Sequence, residues 1–311
     1  MTVNPSKIET WGGKNKTRVR LFKKYDVEKL IHTSPEDFDP MCLTFAGTNA
    51  LLERLLVNHE LVQPKNIITI QTYEQLAQNH HGKEILDLLF ATQKKYLRGM
   101  KIWPYNFRSF SECYKLDGCT LPSESEEAGW SKTPLIDYMN KIIKAKPEKF
   151  DIMDLDMCGI FNENNSESVV NLFRNKVLSD SGVAFITHQK GRDVRGGKLF
   201  EVLHGYLKTC PYIVFDSIPH LGEKKWETYI ARYIMVPLFY ICNAYDQGYT
   251  LKLHRLIEYR DKNKGSGLAV NMLQYFFKWF ASDTLEESDQ FLKFSLSNVL
   301  NEEYPYHRWV D

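Results

Sequence analysis

Phe150-Asp151-Ile152-Met153-Asp154-Leu155-Asp156-Met157-Cys158-Gly159 is an apolar run that turns acidic and ends on a glycine. A run so short and so apolar reads as a buried strand. Side chains alternate along a strand, so Asp154 and Asp156 share one face at its carboxyl end. Open α/β sheets bind ligands in the crevice outside that end of their strands. Burying charge there without use is costly, so Asp156 and Asp154 are the first candidates for chemistry.

Working outward, short apolar runs alternate with helical periodicity, the sign of β-α alternation and a mostly parallel, doubly wound, Rossmann-like sheet. Residues 41–45 read as a strand that meets Gly47. Thr48-Asn49 follow as an N-cap for an amphipathic helix over 50–59. A second strand is expected at 67–70, helices at 73–79 and 84–96, and a short strand at 100–103. The glycine, proline and serine content of 116–132 predicts a long loop, followed by a helix over 133–144. Beyond the opening stretch we expect a helix at 169–177, a strand at 182–187 and a flexible loop over 188–197. Helices at 198–208 and 226–245 and a strand at 249–259 come next. The aromatic run Tyr275-Phe276-Phe277-Lys278-Trp279-Phe280 fits either a closing edge strand or a packed helix. Three regions result: a basic arm over 1–36, the Rossmann-like domain over 37–261, and an extension over 262–311 packed on it.

The chain has 311 residues, 43% of them hydrophobic, enough to fill a core without covalent staples. Lysine and arginine number 40 against 39 acids, so a net charge of +1 gives no global pull toward nucleic acid or membrane. Six scattered cysteines, none in C-x-x-C spacing, read as reduced thiols of a cytoplasmic protein. No early apolar run has the form of a signal peptide. The apolar stretch 229–244 carries Arg232, Pro237 and Asn243 and falls short of the roughly 20 residues a membrane span needs.

Local features nominate binding. Phe45-Ala46-Gly47 sits between a strand and a helix, where a glycine lets backbone approach a ligand and free helix amides receive polar groups. One glycine replaces the three of a dinucleotide fingerprint, which disfavours a nicotinamide-dependent oxidoreductase. Lys14, Lys16, Arg18 and Arg20 alternate, so an extended arm would align them on one face; such clusters are either solvated or contact phosphates. Lys190, Arg192 and Arg195 lie in a glycine-rich stretch that could hold a polynucleotide phosphate. His80-His81 has no acidic or cysteine partner at metal spacing, and no metal site is expected. Cys158 is a thiol in the right place for nucleophilic catalysis, but nothing beside it would lower its pKa.

Taken in order, Ala46-Gly47-Thr48, a second strand ending near Gln71, the Asp154-x-Asp156-x-x-Gly159 element and the later Ser181-Gly182-Val183-Ala184-Phe185-Ile186 resemble the class I S-adenosylmethionine-dependent methyltransferases. Asp154-Leu155-Asp156-Met157-Cys158-Gly159 is similar to the Asp-Leu-Asp-Pro-Phe-Gly motif of the tRNA guanosine N2-dimethyltransferases. The resemblance covers residues 37–261 and implies a mostly parallel sheet with an antiparallel C-terminal strand. It also implies S-adenosylmethionine as cofactor, with Gly47 against its methionine part, Phe45, Ala46 and Asp154 also at the cofactor, Gln71 at the ribose, and Arg108, Ser109 and Phe110 near the adenine. Asp156 would face the reacting centre with Asp154 supporting it. Two departures stand out: Gln71 replaces an acid, and Met157-Cys158 replace a proline and an aromatic residue.

The function that follows is transfer of a methyl group to a nitrogen of a nucleic-acid base, which needs a flipped or single-stranded target. The alternative is a protein that keeps the fold for binding or assembly after losing catalysis.

Overall fold

The computed structural model describes residues 39–47, 49–71, 81–103, 107–114, 142, 149–157, 160–190, 193–213, 224–262, 269–281 and 284–309. The basic arm, the helix expected at 73–79, the 116–132 loop and nearly all of 133–144 lie outside them.

The strands are β1 (Cys42–Thr44), β2 (Ile67–Ile70), β3 (Lys101–Trp103), β4 (Phe150–Asp156), β5 (Leu178–Gln189), β6 (Tyr249–Lys262), β7 (Ala269–Ala281) and β8 (Tyr306–Trp309). They form one sheet in the order β3-β2-β1-β4-β5-β7-β6-β8. All pairings are parallel except those of β7, which runs against both β5 and β6. Every residue of β1 and β2 is buried, as expected for strands covered on both faces, which is why they read as unbroken apolar runs.

The helices are α1 (Leu51–Asn58), α2 (His81–Tyr96), α3 (Phe107–Cys113), α4 (Glu163–Arg174), α5 (Asp193–Lys208), α6 (Lys224–Ile230), α7 (Val236–Asp246) and α8 (Leu285–Leu300). Met153, Leu155, Ala184 and Ile186 turn one face of the sheet toward Leu172 of α4, Leu203 of α5 and Ile241 of α7. Ile152, Val183 and Phe185 turn the other toward Leu52 and Leu56 of α1 and Leu89 of α2. A π-helical turn, Ala231–Met235, joins α6 to α7. Wider turns leave main-chain oxygens to satisfy, and here the Tyr275 hydroxyl donates to the Arg232 carbonyl at 2.7 Å and the Tyr304 hydroxyl to that of Tyr233 at 2.8 Å.

Gly182 is where β5 and β7 close on each other. It lies opposite Trp279, and a Cβ there would come within 2.2 Å of the indole and 2.3 Å of the Asp151 carbonyl. The indole nitrogen donates to the Ser179 carbonyl at 3.0 Å, fixing the ring over the glycine.

Several expectations need correction. The cap position of α1 is Ala50, in the left-handed region at φ 45° and with no side-chain cap bond, rather than Asn49; Thr48 lies outside the described residues. The helix expected at 169–177 begins six residues earlier, after Asn162, whose side chain accepts from the Asn165 amide at 3.0 Å. The 188–197 stretch is not a loop, because β5 continues through Gln189 and α5 starts at Asp193. The aromatic run at 275–280 is a strand interior to the sheet, between β5 and β6. β7, the edge strand β8 and α8 all come from residues 262–311.

Candidate active site

Strand order reverses between β1 and β4, so the switch point where such sheets bind ligands lies at their carboxyl ends. The two strands pair in parallel, Thr44 opposite Asp154, which brings the Phe45–Gly47 turn beside the Asp156 tip. Neighbours brace the turn. The Ala46 amide donates to Thr69 Oγ1 at 2.8 Å, and Thr69 Oγ1 donates to the Thr44 carbonyl at 3.3 Å. The Ala50 amide closes back on the Gly47 carbonyl at 3.0 Å, and the Phe45 ring meets Phe107 of α3 edge-on at 5.0 Å. Phe45 and Gly47 are half-buried, Ala46 is buried, and the first turn of α1 beside them has no side-chain cap.

Asp154 is 1% exposed and Asp156 6%, and both lie on the α1 face. Asp156 pairs with Thr187 across the β4–β5 ladder, which ends where the Met157 amide donates to the Thr187 carbonyl at 3.0 Å. Beneath them, Glu53 of α1 is buried and accepts from the Thr44 hydroxyl at 2.5 Å. Burial, then the charges of Asp154, Glu53 and Asp151, push the Cys42 thiol well above its usual value. The region under the β1–β4 tips is therefore strongly acidic, and Cys42 is inert within it.

The other expected residues fall as follows. Gln71 is half-buried just past β2, its amide donating to the Trp103 carbonyl at 3.0 Å. Arg108 is exposed on α3 and pairs with Glu112 at 2.7 Å. Phe110 is fully buried among Trp103, Tyr114 and Phe150, so its ring belongs to the core. Ser109 lies on α3, with its side chain outside the described residues. Lys190 is half-buried, and its Nζ donates to Glu258 Oε1 at 2.8 Å. Tyr233 and Tyr306 donate to the other oxygen of Glu258 at 2.8 and 2.7 Å. Burial acts to raise the Glu258 pKa, but the bonds from Lys190, Tyr306 and Tyr233 outweigh it and the net shift is downward. Arg195 sits in the first turn of α5 with its side chain outside the described residues, as are Arg192, Cys158, Gly159, Lys14, Lys16, Arg18 and Arg20.

Sequence reasoning missed a small pocket, about 20 Å³, on the opposite face of the β4–β5 tips, lined by residues including Phe161, His188, Leu199, Arg232, Val236 and Tyr275. His188 is buried, and burial lowers its pKa to about 3, so the ring is neutral. Its Nε2 lies 2.9 Å from the Tyr240 hydroxyl, while Nδ1 has no hydrogen-bond partner among the described residues. The tautomer with fewest orphans has Tyr240 donating to Nε2 and the proton on Nδ1. The signal available was the apolar run 183–187 continuing into the histidine, which reads as strand rather than loop.

Strand order, the β1–β4 switch point and the reversed β7 together define the class: a doubly wound, Rossmann-like, mostly parallel sheet with one antiparallel strand toward its C-terminal edge. No family model matches the sequence, and no curated protein does. Among solved structures, TYW2 of M. jannaschii in complex with AdoMet aligns at 11% identity over 83% of this chain and 75% of that one, with TM-score 0.36. The RNA methyltransferase candidate PH1948 from Pyrococcus horikoshii aligns at 11% identity over 86% and 83%, with TM-score 0.40. The plantazolicin methyltransferase BpumL in complex with SAH aligns at 9% identity over 86% and 88%, with TM-score 0.35.

Proposed function

We propose that this chain is an S-adenosylmethionine-dependent methyltransferase whose acceptor is a nitrogen of a nucleic-acid base. The observation that carries the reading is the parallel pairing of β1 with β4 at the switch point, which sets the half-buried Phe45–Gly47 turn next to Asp156. The donor set suits the cofactor: uncapped α1 amides for a carboxylate, and the Gln71 side chain for ribose hydroxyls. Bound there, S-adenosylmethionine supplies an activated methyl carbon.

The chain's own residues then have two tasks. The Phe45–Gly47 backbone and the start of α1 hold one reactant in place, and alignment of the reacting atoms is a large part of the rate gain. Asp156 accepts a hydrogen bond from the acceptor amine, orienting its lone pair and receiving the proton that departs late. Asp154, buried two residues back, supports the strand end. A basic arm carrying Lys14, Lys16, Arg18 and Arg20, with Arg192 and Arg195, favours a polynucleotide over a small acceptor.

The test is transfer of labelled methyl groups from S-adenosylmethionine to bulk RNA and to denatured DNA by the wild type and by Asp156→Ala. Incorporation by the wild type that falls by about 100-fold or more in the variant supports the assignment. Absence of incorporation into either polymer removes the nucleic-acid part of it. A second reading, a scaffold without catalysis, is favoured by Gln71 standing where an acid is expected; it predicts no turnover with any acceptor.

A further inference from the structure

Lys252 of β6 and Lys278 of β7 stand directly opposite each other in the antiparallel ladder. Cβ atoms in such pairs are about 5 Å apart, and like charges placed this way destabilise a sheet. Neither amine has a carboxylate within ion-pair distance among the described residues. Burial and then Lys252 lower the pKa of Lys278, and burial, Lys252 and Lys278 lower that of His254, at the ladder's irregularity between Leu253 and Arg255. The two amines are thus crowded, with no carboxylate paired to them among the described residues.

Aromatic rings flank it. The Lys252 amine lies 4.8 Å from the ring centre of Phe294, which is 50% exposed on α8. One turn earlier Phe291, 45% exposed, meets Phe280 of β7 edge-on at 4.5 Å. Phe280 is two residues from Lys278 and therefore on the same face of β7. Two half-exposed phenyl rings beside paired ammonium groups reproduce the chemistry by which single strands are held, with bases stacked on rings and phosphates on cations. An acidic peptide would satisfy the lysines and leave the rings unused.

We infer that the β6–β7 face around Lys252, Lys278, Phe291 and Phe294 is a docking platform for single-stranded nucleic acid. β6 runs parallel to β4, so its first residues lie toward the amino edge of the sheet, and Lys252, level with Ile152 through Lys278 and Val183, sits about 13 Å back along the strand direction from Asp156. The platform holds a flank of the strand, away from the Asp156 tip. It requires no cofactor, so it stands or falls separately from the methyl-transfer reading.

The experiment is fluorescence anisotropy of a labelled oligouridylate titrated with the full chain, without cofactor, across a salt series. For Lys252→Gln/Lys278→Gln we expect weaker binding, with the slope of log affinity against log salt reduced by about 1.4, the release expected for two phosphate contacts. For Phe294→Ala we expect about tenfold weaker binding with the slope unchanged. Thermal melting of the lysine variant should match or exceed the wild type, because a repulsive pair is removed. Unchanged affinity and slope in the folded lysine variant would overturn the proposal, as would equal competition by polyglutamate and oligouridylate.

Discussion

The hydroxyl of Thr44, the last residue of β1, donates to Glu53 Oε1 on α1 at 2.5 Å, and both residues are buried. The bond ties the strand to the helix that follows it across the Phe45–Gly47 turn and gives a buried carboxylate a donor. Thr44→Val keeps the shape and removes the donor, and should lower stability by about 1–3 kcal/mol in urea titration, since a buried acceptor loses a partner. Thr44→Ser retains the hydroxyl and should recover most of that loss.

Gly182→Ala places a methyl group against the Trp279 indole and the Asp151 carbonyl. Overpacking of this kind costs about 1–3 kcal/mol, and here one of the obstructing atoms is backbone. A double-mutant cycle with Trp279→Leu should give a coupling above about 0.5 kcal/mol, because the two residues compete for one space.

Buried His188 gives the protein an acid-labile element. Its folded pKa, about 3, lies below the unfolded value near 6.5, so the proton binds the unfolded chain more readily. Its effect is absent above about pH 6.5, and stability falls by up to about 1.4 kcal/mol per pH unit as pH drops from there toward the folded pKa. His254 is shifted in the same direction. The variant His188→Phe/Tyr240→Phe, which also removes the hydroxyl that would be orphaned, should therefore flatten the dependence between pH 6.5 and 4.5 in part. Chemical denaturation at stepped pH values measures it.

The Lys190–Glu258 pair joins the end of β5 to β6, with Tyr233 and Tyr306 sharing the carboxylate. Lys190→Met leaves Glu258 nearly buried without its cation and should cost on the order of 3 kcal/mol. Lys190→Met/Glu258→Gln should cost less than the single change, as read by denaturation midpoints.

The sequence was most legible where physics leaves one solution. β1, β2 and β4 are covered on both faces, so their apolar runs stand out, and the acids ending β4 marked the site edge. β7 was hidden for a different reason: its unbroken aromatic run has no alternation to separate strand from helix. The start of α4 was missed because its first turns, Glu163-Asn164-Asn165-Ser166-Glu167, are polar and only the Asn162 cap announces them. α8 carried a readable signal that went unused: Thr284, which accepts from the Glu287 amide at 3.3 Å, with Glu287 three residues on, has the spacing of a capping box. His188 and Arg232 could not be placed in one pocket from sequence, because that depends on how α5 and the π-helical turn fold over the β5 tip.

Calorimetric titration of S-adenosylhomocysteine into the wild type and Gly47→Val tests the central claim most directly, since it asks whether the β1–β4 tips form a cofactor site at all. The account predicts saturable binding with a Kd on the order of micromolar, about −8 kcal/mol, that is lost when a branched side chain fills the turn. Absence of saturable heat with the folded wild type, or equal binding by Gly47→Val, would contradict it.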